Sequence, residues 1–353
     1  MTTPGPALSW PSLLHTLLAG EDLGEEVAAE VMGVLMRGDA EPSQVAGLLV
    51  ALRGKGESPA EIAGFVRAML EAAVPLPRTP ARGGELLDIV GTGGDGAGTF
   101  NISSVAAVVV AAAGVPVAKH GNRAASSRCG SADLLEAWGV AIELPAAEVA
   151  RCLDELGVTF LYARTFHPAM RHVAPVRLQL GIRTVFNVLG PLSNPAGVAY
   201  QAVGVADERL APVMADALAR LGRRHALVFR GEDGLDELTT TGASQVWEVR
   251  DGAVASWRFD PAEVGIARAT PADLQGGDAR ANVAIADAVL AGRPGPAADI
   301  VALNAAAGLY AADAVPDLTT GLARAREVLA SGAAAALRDR WIAWTAAAGS
   351  LDG

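Results

Sequence analysis

From residue 86 onward, short apolar runs alternate with longer segments of helical character. The runs LLDIV, VPVAK, HALVF and QVWEV each have the length of a buried strand, and helical stretches such as 131–139 and 207–222 separate runs of this kind. This alternation is typical of α/β domains, in which helices cover a sheet of mostly parallel strands. The sequence therefore predicts an α/β domain with a largely parallel sheet, completed by helices at 281–291, 298–312 and 319–346.

The first part of the chain has a different pattern. Residues 12–74 are predicted to form short helices, and in SPAEIAGFVRAML the residues Ser58 and Glu61 form a capping box around Pro59. The segment 75–84, PLPRTPARGG, contains three prolines and is predicted to be a linker. We therefore expect a small helical domain at residues 1–75 and an α/β domain at residues 76–353.

Composition limits the possible functions. The chain has 353 residues, 51% of them hydrophobic, which is enough for two domains, and its net charge of -11 argues against a nucleic-acid or anionic-membrane binder. Cys129 and Cys152 lack metal-site spacing, and the first basic residue is Arg37. No apolar run reaches the ~20 residues of a membrane-spanning helix. We expect a soluble, cytoplasmic protein without membrane partners.

A glycine-rich loop follows the first apolar run, in LLDIVGTGGDGAGTFNISS. Gly91, Gly93 and Gly96 satisfy G-x-G-x-x-G, but no acidic residue lies between Asp95 and Asp133, so the dinucleotide motif is incomplete. No GK[ST] follows either. Glycine amides at the start of a helix still favour an anion such as phosphate. A simple strand-to-helix turn, with serines as caps, remains the alternative.

Three further segments carry candidate site residues. AKHGNRAASSRCGSAD places Lys119, His120, Arg123 and Arg128 close together, as a phosphate-binding loop or as a solvated basic turn. Asp236-Glu237, in a glycine-bearing loop, could bind Mg²⁺ together with substrate phosphates, although such pairs are also common on surfaces. His167 and Arg177 lie in a predicted helix that ends before the glycine-proline turn 190–195. Arg177 could hold a carboxylate or be an ordinary surface arginine.

Together these segments resemble the anthranilate phosphoribosyltransferases, the tryptophan-pathway members of the nucleoside phosphorylase-like transferases. The motifs GTGGDGAGTFNISS, KHGNRAASSRCGSAD, HPAMRHVAPVR, FNVLGPLSNPA and DELTTTG occur in the family's order. The resemblance implies a small helical domain that includes a returning segment near 165–185, a larger α/β domain, an active site in the cleft between them, and a homodimer formed through the helical domains. Arg128 and Cys129 stand where many relatives have lysine and serine.

The resemblance also implies a role for individual residues. Mg²⁺, as two ions, would bind Ser103, Asp236 and Glu237. Anthranilate would bind Gly91, His120, Asn122, His167, Met170 and Arg177, with Arg177 on its carboxylate. The other substrate, 5-phosphoribosyl 1-pyrophosphate (PRPP), would bind Gly91, Gly94, Asp95, Thr99, Asn101, Ile102, Ser103, Ser104, Lys119, His120, Gly121, Asn122, Arg123, Ala124, Ala125, Ser126, Ser127 and Ser131.

The implied reaction transfers the phosphoribosyl group to the anthranilate amine and releases pyrophosphate. Because an aniline nitrogen is largely unprotonated at neutral pH, positioning and charge neutralisation should supply most of the catalysis. Two rivals are a pyrimidine nucleoside phosphorylase and a non-catalytic paralogue that binds nucleic acid. The first differs around KHGNR and does not need the acid pair, and the second should be basic, whereas this chain is acidic.

Overall fold

The computed structural model describes residues 9–77, 85–124 and 128–349. It begins with four helices: α1 (Trp10–Leu18), α2 (Glu25–Arg37), α3 (Pro42–Lys55) and α4 (Pro59–Glu71). The predicted capping box is confirmed, because the hydroxyl of Ser58 accepts a hydrogen bond from the Glu61 amide at 3.3 Å and the Glu61 carboxylate accepts one from the Ser58 amide at 2.8 Å. Most of the predicted linker, residues 78–84, lies outside the described residues.

In the part of the chain that the structure describes, seven strands form one sheet in the order β3-β2-β1-β4-β5-β6-β7. The five strands β1 to β5 pair in parallel, and β6 and β7 extend the sheet in antiparallel fashion. The prediction of a largely parallel sheet is confirmed. The strands are β1 (Leu87–Gly91), β2 (Val117–Gly121), β3 (Val158–Tyr162), β4 (Tyr200–Gly204), β5 (His225–Gly231), β6 (Ser244–Arg250) and β7 (Ala253–Phe259).

Helices fill the connections and cover the sheet, with α5 (Ile102–Ala112) and α13 (Pro296–Ala311) together in one large apolar core. The prediction of one final helix at 319–346 is wrong. Two helices are present there, and Gly332 between them has a φ of +74°, a left-handed conformation that ends a helix at low cost for glycine. These helices are α5 (Ile102–Ala112), α6 (Ser131–Trp138), α7 (Ala146–Leu156), α11 (Leu210–Arg220), α12 (Ala279–Leu290), α13 (Pro296–Ala311), α14 (Leu318–Ala330) and α15 (Ala333–Gly349).

The segment between β3 and β4 is broken into short helices. The single helix predicted to end before a turn at 190–195 is wrong, because Gly190 and Pro191 lie inside the last of these helices. Pro191 is tolerated one residue from the end of that helix, where a missing amide removes only one backbone bond. The helices are α8 (Ala163–Phe166), a 3-10 turn (Pro168–His172), α9 (Ala174–Leu180) and α10 (Phe186–Leu192).

A second apolar core joins the helical part to the sheet. Val176 of α9 and Phe186 of α10 are buried in the same cluster as Phe65 of α4. Met214, from helix α11, belongs to this cluster as well, so α11 connects the amino-terminal helices to one face of the sheet. The returning segment thus packs with the amino-terminal helices. The domain boundary at residue 75 stays a prediction.

No helix within the described ranges is long and apolar enough to cross a membrane. Cys129 and Cys152 are both buried and neither forms a disulfide within the described residues, and burial raises the pKa of Cys129 to about 11 and that of Cys152 to about 12. Both thiols therefore stay protonated at neutral pH.

Candidate active site

The loops of the candidate site leave the carboxyl ends of neighbouring parallel strands. Gly91 at the end of β1 and Gly204 at the end of β4 are paired in register, and the acidic loop crosses both. A Cβ on Gly91 would lie 2.5 Å from Oδ2 of Asp236, and a Cβ on Gly204 would overlap the Asp236 backbone. Glycine at these two strand ends therefore lets the acidic loop settle onto the sheet, where ligands of α/β proteins commonly bind.

The two acids of this loop contact the glycine-rich segment directly. Asp236 accepts a hydrogen bond of 2.6 Å from the amide of Gly93, and Glu237 accepts one of 3.0 Å from the amide of Ser103. Burial, then the charges of Glu237 and Asp95, raise the pKa of Asp236 well above its usual value. Burial also raises the pKa of Glu237 to about 7, against the opposing charge of Lys119. The pair is thus a crowded anionic site.

This donor set fits a hard divalent cation. Carboxylate oxygens are the ligands that Mg²⁺ takes in proteins, usually one or two of them together with phosphate oxygens and water. The hydroxyl of Ser103 also interacts with Glu237, so the three predicted ligands lie together. Within the described parts of the chain, no group of three or more His, Cys, Asp or Glu side chains is arranged as a metal site.

The glycine-rich loop adopts conformations that favour glycine. Gly93, Gly94, Gly96 and Gly98 have φ values between +67° and +77°. The side-chain amide of Gln275 donates to the carbonyl of Gly98 at 2.5 Å, so a distant segment braces the loop. This hydrogen bond helps to fix the loop residues that are predicted to bind PRPP, just before the start of α5.

A chain of side-chain amides fixes the helix start behind this loop. Asn282 of α12, which is buried, donates to the side-chain oxygen of Asn101 at 2.9 Å. Asn101 donates in turn to the carbonyl of Cys129 at 3.0 Å. The amides therefore connect the glycine-rich loop to the loop after β2. Sequence reasoning missed Gln275 and Asn282, because a single amide residue in a helical or turn segment gives no motif.

Of the basic residues near β2, Lys119 and His120 are buried, whereas Arg123 and Arg128 are exposed. Lys119 is 3% exposed, and its ammonium donates to the carbonyl of Ile89. Burial lowers the pKa of Lys119, while Asp88, Glu237 and Asp236 oppose that shift. His120 adds no positive charge to this segment at neutral pH, because burial and the neighbouring His167 lower its pKa to about 3.

Arg123 is also committed to protein contacts. It pairs with Glu136, and its guanidinium lies 5.7 Å from the centre of the Tyr162 ring. The hydroxyl of Ser131 donates to the carbonyl of Asn122 at 3.2 Å, which closes this loop at its base. The predicted residues Ala125, Ser126 and Ser127 lie outside the described residues.

Asp88 is a buried acid that sequence reasoning missed. It lies within the apolar run of β1, accepts from the His120 amide at 3.1 Å and from the Asn194 side chain at 2.8 Å, and is fully buried. Burial raises its pKa to about 6, opposed chiefly by the charge of Lys119. Asp88 therefore holds β2 in place rather than facing the site. In the sequence it is a single acid within an apolar run, and it belongs to no motif.

A cavity of about 890 Å³ opens beside these loops. Five of the six residues predicted to bind anthranilate line it, and Gly91 does not. Its walls are completed by apolar side chains such as Met69 of α4 and Phe186 of α10. The five predicted lining residues are His120, Asn122, His167, Met170 and Arg177.

The polar groups in the cavity are oriented by their hydrogen bonds. His120 Nδ1 is 3.1 Å from the carbonyl of Gly190, so Nδ1 donates, and the buried Nε2 has no partner among the described residues. His167 Nε2 donates to the carbonyl of Ser193 at 2.9 Å. Arg177 lies over the Phe186 ring at 5.0 Å, has no carboxylate partner in the described part of the chain, and has its pKa lowered by burial. The cavity thus offers a ligand the unpartnered Nε2 of His120 and the guanidinium of Arg177, and Arg164 and Arg171 also line it.

Comparison with known proteins agrees with this geometry. Residues 83–335 match the glycosyl transferase family α/β domain, and residues 11–73 match the helical bundle domain of that family. The anthranilate phosphoribosyltransferase of Arthrobacter sp. (strain FB24) is 54% identical over 343 residues, 96% of each chain. That of Acidothermus cellulolyticus is 54% identical over 358 residues, covering 100% of this chain and 99% of the relative.

Solved structures give the same result. Anthranilate phosphoribosyltransferase from Thermus thermophilus superposes with a TM-score of 0.88 at 54% identity, covering 94% of this chain and 99% of that one. The Saccharomyces cerevisiae enzyme in complex with PRPP and Mg superposes with a TM-score of 0.87 at 28% identity, covering 96% and 98%. A further structure of the yeast enzyme contains 4-fluoroanthranilate. The chain belongs to the anthranilate phosphoribosyltransferase family, whose members are glycosyltransferases of tryptophan biosynthesis.

Proposed function

We propose that this chain transfers the phosphoribosyl group of PRPP to the amine of anthranilate, giving N-(5-phosphoribosyl)anthranilate and pyrophosphate. The observation that carries the proposal is the position of the cavity. His120 and Asn122, at the carboxyl end of β2, line it, while the adjoining strand β1 leads into the glycine-rich loop bound by Asp236. An aromatic acceptor and a diphosphate donor would meet at this edge.

PRPP would bind along the glycine-rich loop and the loop after β2. The left-handed glycines let the backbone of the loop approach a diphosphate closely, and the amino-terminal end of α5 adds its positive dipole. Lys119 lies below both loops, between Asp88 and the acid pair, where its charge would offset that of bound phosphate. We retain the predicted PRPP contacts, from Gly91 to Ser131, on this basis.

Asp236 and Glu237, with the hydroxyl of Ser103, would hold Mg²⁺, and we propose two ions. When bound, the metal would neutralise the departing diphosphate. The solved yeast enzyme with PRPP and Mg supports the use of magnesium. The crowding of the two buried carboxylates supports it independently, because a cation at this position would relieve their mutual repulsion.

Anthranilate would occupy the cavity with its carboxylate on Arg177. The guanidinium can bind a carboxylate through two parallel hydrogen bonds, and Arg177 has no acid partner in the described residues. His120 Nε2 would accept a hydrogen bond from the substrate amine and so orient the nitrogen lone pair. As the C1–O bond to pyrophosphate breaks, the amine nitrogen forms the new bond to C1 and its extra proton passes to solvent.

The decisive experiment follows the loss of anthranilate fluorescence when the protein, PRPP and Mg²⁺ are mixed. We expect a decrease that requires all four components and that releases one pyrophosphate per anthranilate consumed. Fluorescence that stays constant with pure, folded protein would contradict the proposal. The relatives reported above do not favour the two alternatives, a pyrimidine nucleoside phosphorylase and a nucleic-acid-binding paralogue.

We also propose a homodimer formed through the helical part. Leu18 of α1 is 76% exposed and Val50 of α3 is 48% exposed, so these helices carry apolar side chains that a partner could cover. Light scattering after size-exclusion chromatography should give about twice the monomer mass, and Leu18→Glu with Val50→Glu should reduce it. A monomeric wild type contradicts this arrangement. A cytoplasmic location stays a prediction.

A further inference from the structure

Arg183 is a cation at the active site that neither the motifs nor the cavity includes. It lies between α9 and α10, in the segment that packs with the helical part of the molecule. Its guanidinium lies against the backbone of Gly94, in the glycine-rich loop that follows β1 of the sheet. A Cβ added to Gly94 would overlap this guanidinium. Arg183 therefore reaches across the cleft to the loop that is predicted to hold the diphosphate.

The charge of Arg183 is not neutralised by the protein. In residues 9–77, 85–124 and 128–349 no carboxylate lies within ion-pair distance of Arg183, as is also the case for Arg177, whereas some arginines near these loops are paired. Arg123, for example, contacts Glu136, and Arg209 contacts Asp207. A half-buried arginine without an acid partner keeps guanidinium donors that can bind an anion, because those donors otherwise face only backbone and water.

The position of Arg183 indicates which anion. Gly94 follows Gly93, whose amide is bound to Asp236, so Arg183 and the acid pair approach the same short stretch of loop. Arg177 is on α9 and lies over Phe186 in the aromatic cavity. Arg183 does not line this cavity. Arg177 therefore lies on the acceptor side of the loop, and Arg183 on the donor side.

We propose that Arg183 binds the diphosphate of PRPP, together with the metal that Asp236 and Glu237 would hold, and stabilises the departing pyrophosphate. This deepens the proposed function and rests on it. Because Arg183 belongs to the segment that packs with the helical part, its contact with the diphosphate would also draw the two sides of the cleft together when PRPP binds. Planar, bidentate recognition of phosphate is a property of arginine that lysine reproduces only as a point charge.

The test compares Arg183→Gln and Arg183→Lys with the matched control Arg340→Gln, an exposed arginine on α15. Calorimetric titration with inorganic pyrophosphate and Mg²⁺ measures binding without turnover. For Arg183→Gln we expect the affinity for pyrophosphate to fall, and the KM for PRPP to rise, by about tenfold to a hundredfold, as for loss of a charge-assisted hydrogen bond. The KM for anthranilate should stay within about twofold. Arg183→Lys should fall between, and the control should match wild type.

Three outcomes would overturn the assignment. A raised KM for anthranilate alone would place Arg183 on the acceptor. A raised KM for PRPP with unchanged pyrophosphate binding would place it on the ribose phosphate. Unchanged values for a folded Arg183→Gln variant would leave it a packing residue. Failure of the proposed function itself is distinguishable, because the wild type would then show no turnover and the variants could not be ranked by it.

Discussion

Asp236 accepts a hydrogen bond of 2.6 Å from the backbone amide of Gly93, a residue 143 positions earlier in the chain. This contact places an acidic loop against a glycine-rich one, and Glu237 repeats the arrangement one residue later with the amide of Ser103. Two segments that look ordinary when read alone thereby form one anionic site bordered by amide donors.

Neutralising the acid pair should abolish turnover without unfolding the protein. In Asp236→Asn with Glu237→Gln the Mg²⁺ ligands lose their charge, and we expect the rate to fall about a hundredfold or more. The thermal midpoint should stay the same or rise, because two crowded buried carboxylates disappear. Glu263→Gln, an exposed acid, is the control. A double variant with unchanged activity contradicts the magnesium assignment.

Arg177→Ala should raise the KM for anthranilate by about tenfold to a hundredfold, since the substrate carboxylate loses its charged partner. The KM for PRPP should change little. Steady-state kinetics with each substrate varied in turn separates the two effects. Arg171→Ala is a suitable control, because Arg171 also lines the cavity but is exposed. Normal anthranilate saturation in Arg177→Ala would rule out the carboxylate contact.

Gly94 and Gly96 form a matched pair for testing the approach of Arg183. Both have positive φ values, +77° and +73°, so alanine is strained at either position by about 1 kcal/mol. Only at Gly94 would the new methyl group also overlap Arg183, because the space beside Gly96 is open. Gly94→Ala should therefore raise the KM for PRPP well beyond the effect of Gly96→Ala. Equal effects would mean that backbone strain alone is responsible.

Asn282→Ala should weaken PRPP binding from a distance. Loss of its amide leaves Asn101 without one partner and frees the start of α5, so we expect a stability loss of about 1–3 kcal/mol and a several-fold higher KM for PRPP. Thr345→Val removes the buried hydrogen bond from the Thr345 hydroxyl to the carbonyl of Trp341, far from the site, and should lower stability alone. If both variants leave the KM for PRPP unchanged, the amide chain has no positioning role.

Acid should weaken the fold through His120, whose pKa is lowered by burial and by His167 to about 3. Below the unfolded pKa of about 6.5 only the unfolded chain gains the proton, so stability falls by at most about 1.4 kcal/mol per pH unit as pH drops. The free energy of unfolding measured with urea should therefore fall more steeply from about pH 7 to about pH 5 in the wild type than in His120→Gln, so that the difference between them changes with pH. Asp88, with its raised pKa, acts in the opposite sense but is present in both proteins. A constant difference contradicts this.

Sequence patterns predicted the elements that depend on local periodicity or on motifs. The capping box of Ser58, the parallel strands and the residues that meet in the cavity were all visible in short segments. The split of the last helix at Gly332 was not, because alanine-rich sequence on both sides hides the break. Asp88, Gln275, Asn282 and Arg183 were missed for a related reason. Each acts through a partner distant in sequence, and a single residue carries no spacing that identifies it.

The apolar cluster shared by Phe65 of α4 and Met214 of α11 restricts how the cleft can open. Moving the helical part away from the sheet would expose this apolar cluster to water, whereas a small rotation about it would keep the cluster buried. Substrate entry should therefore proceed by a rotation about this apolar cluster. The segments that carry Arg183 and Gly94 would move the farthest.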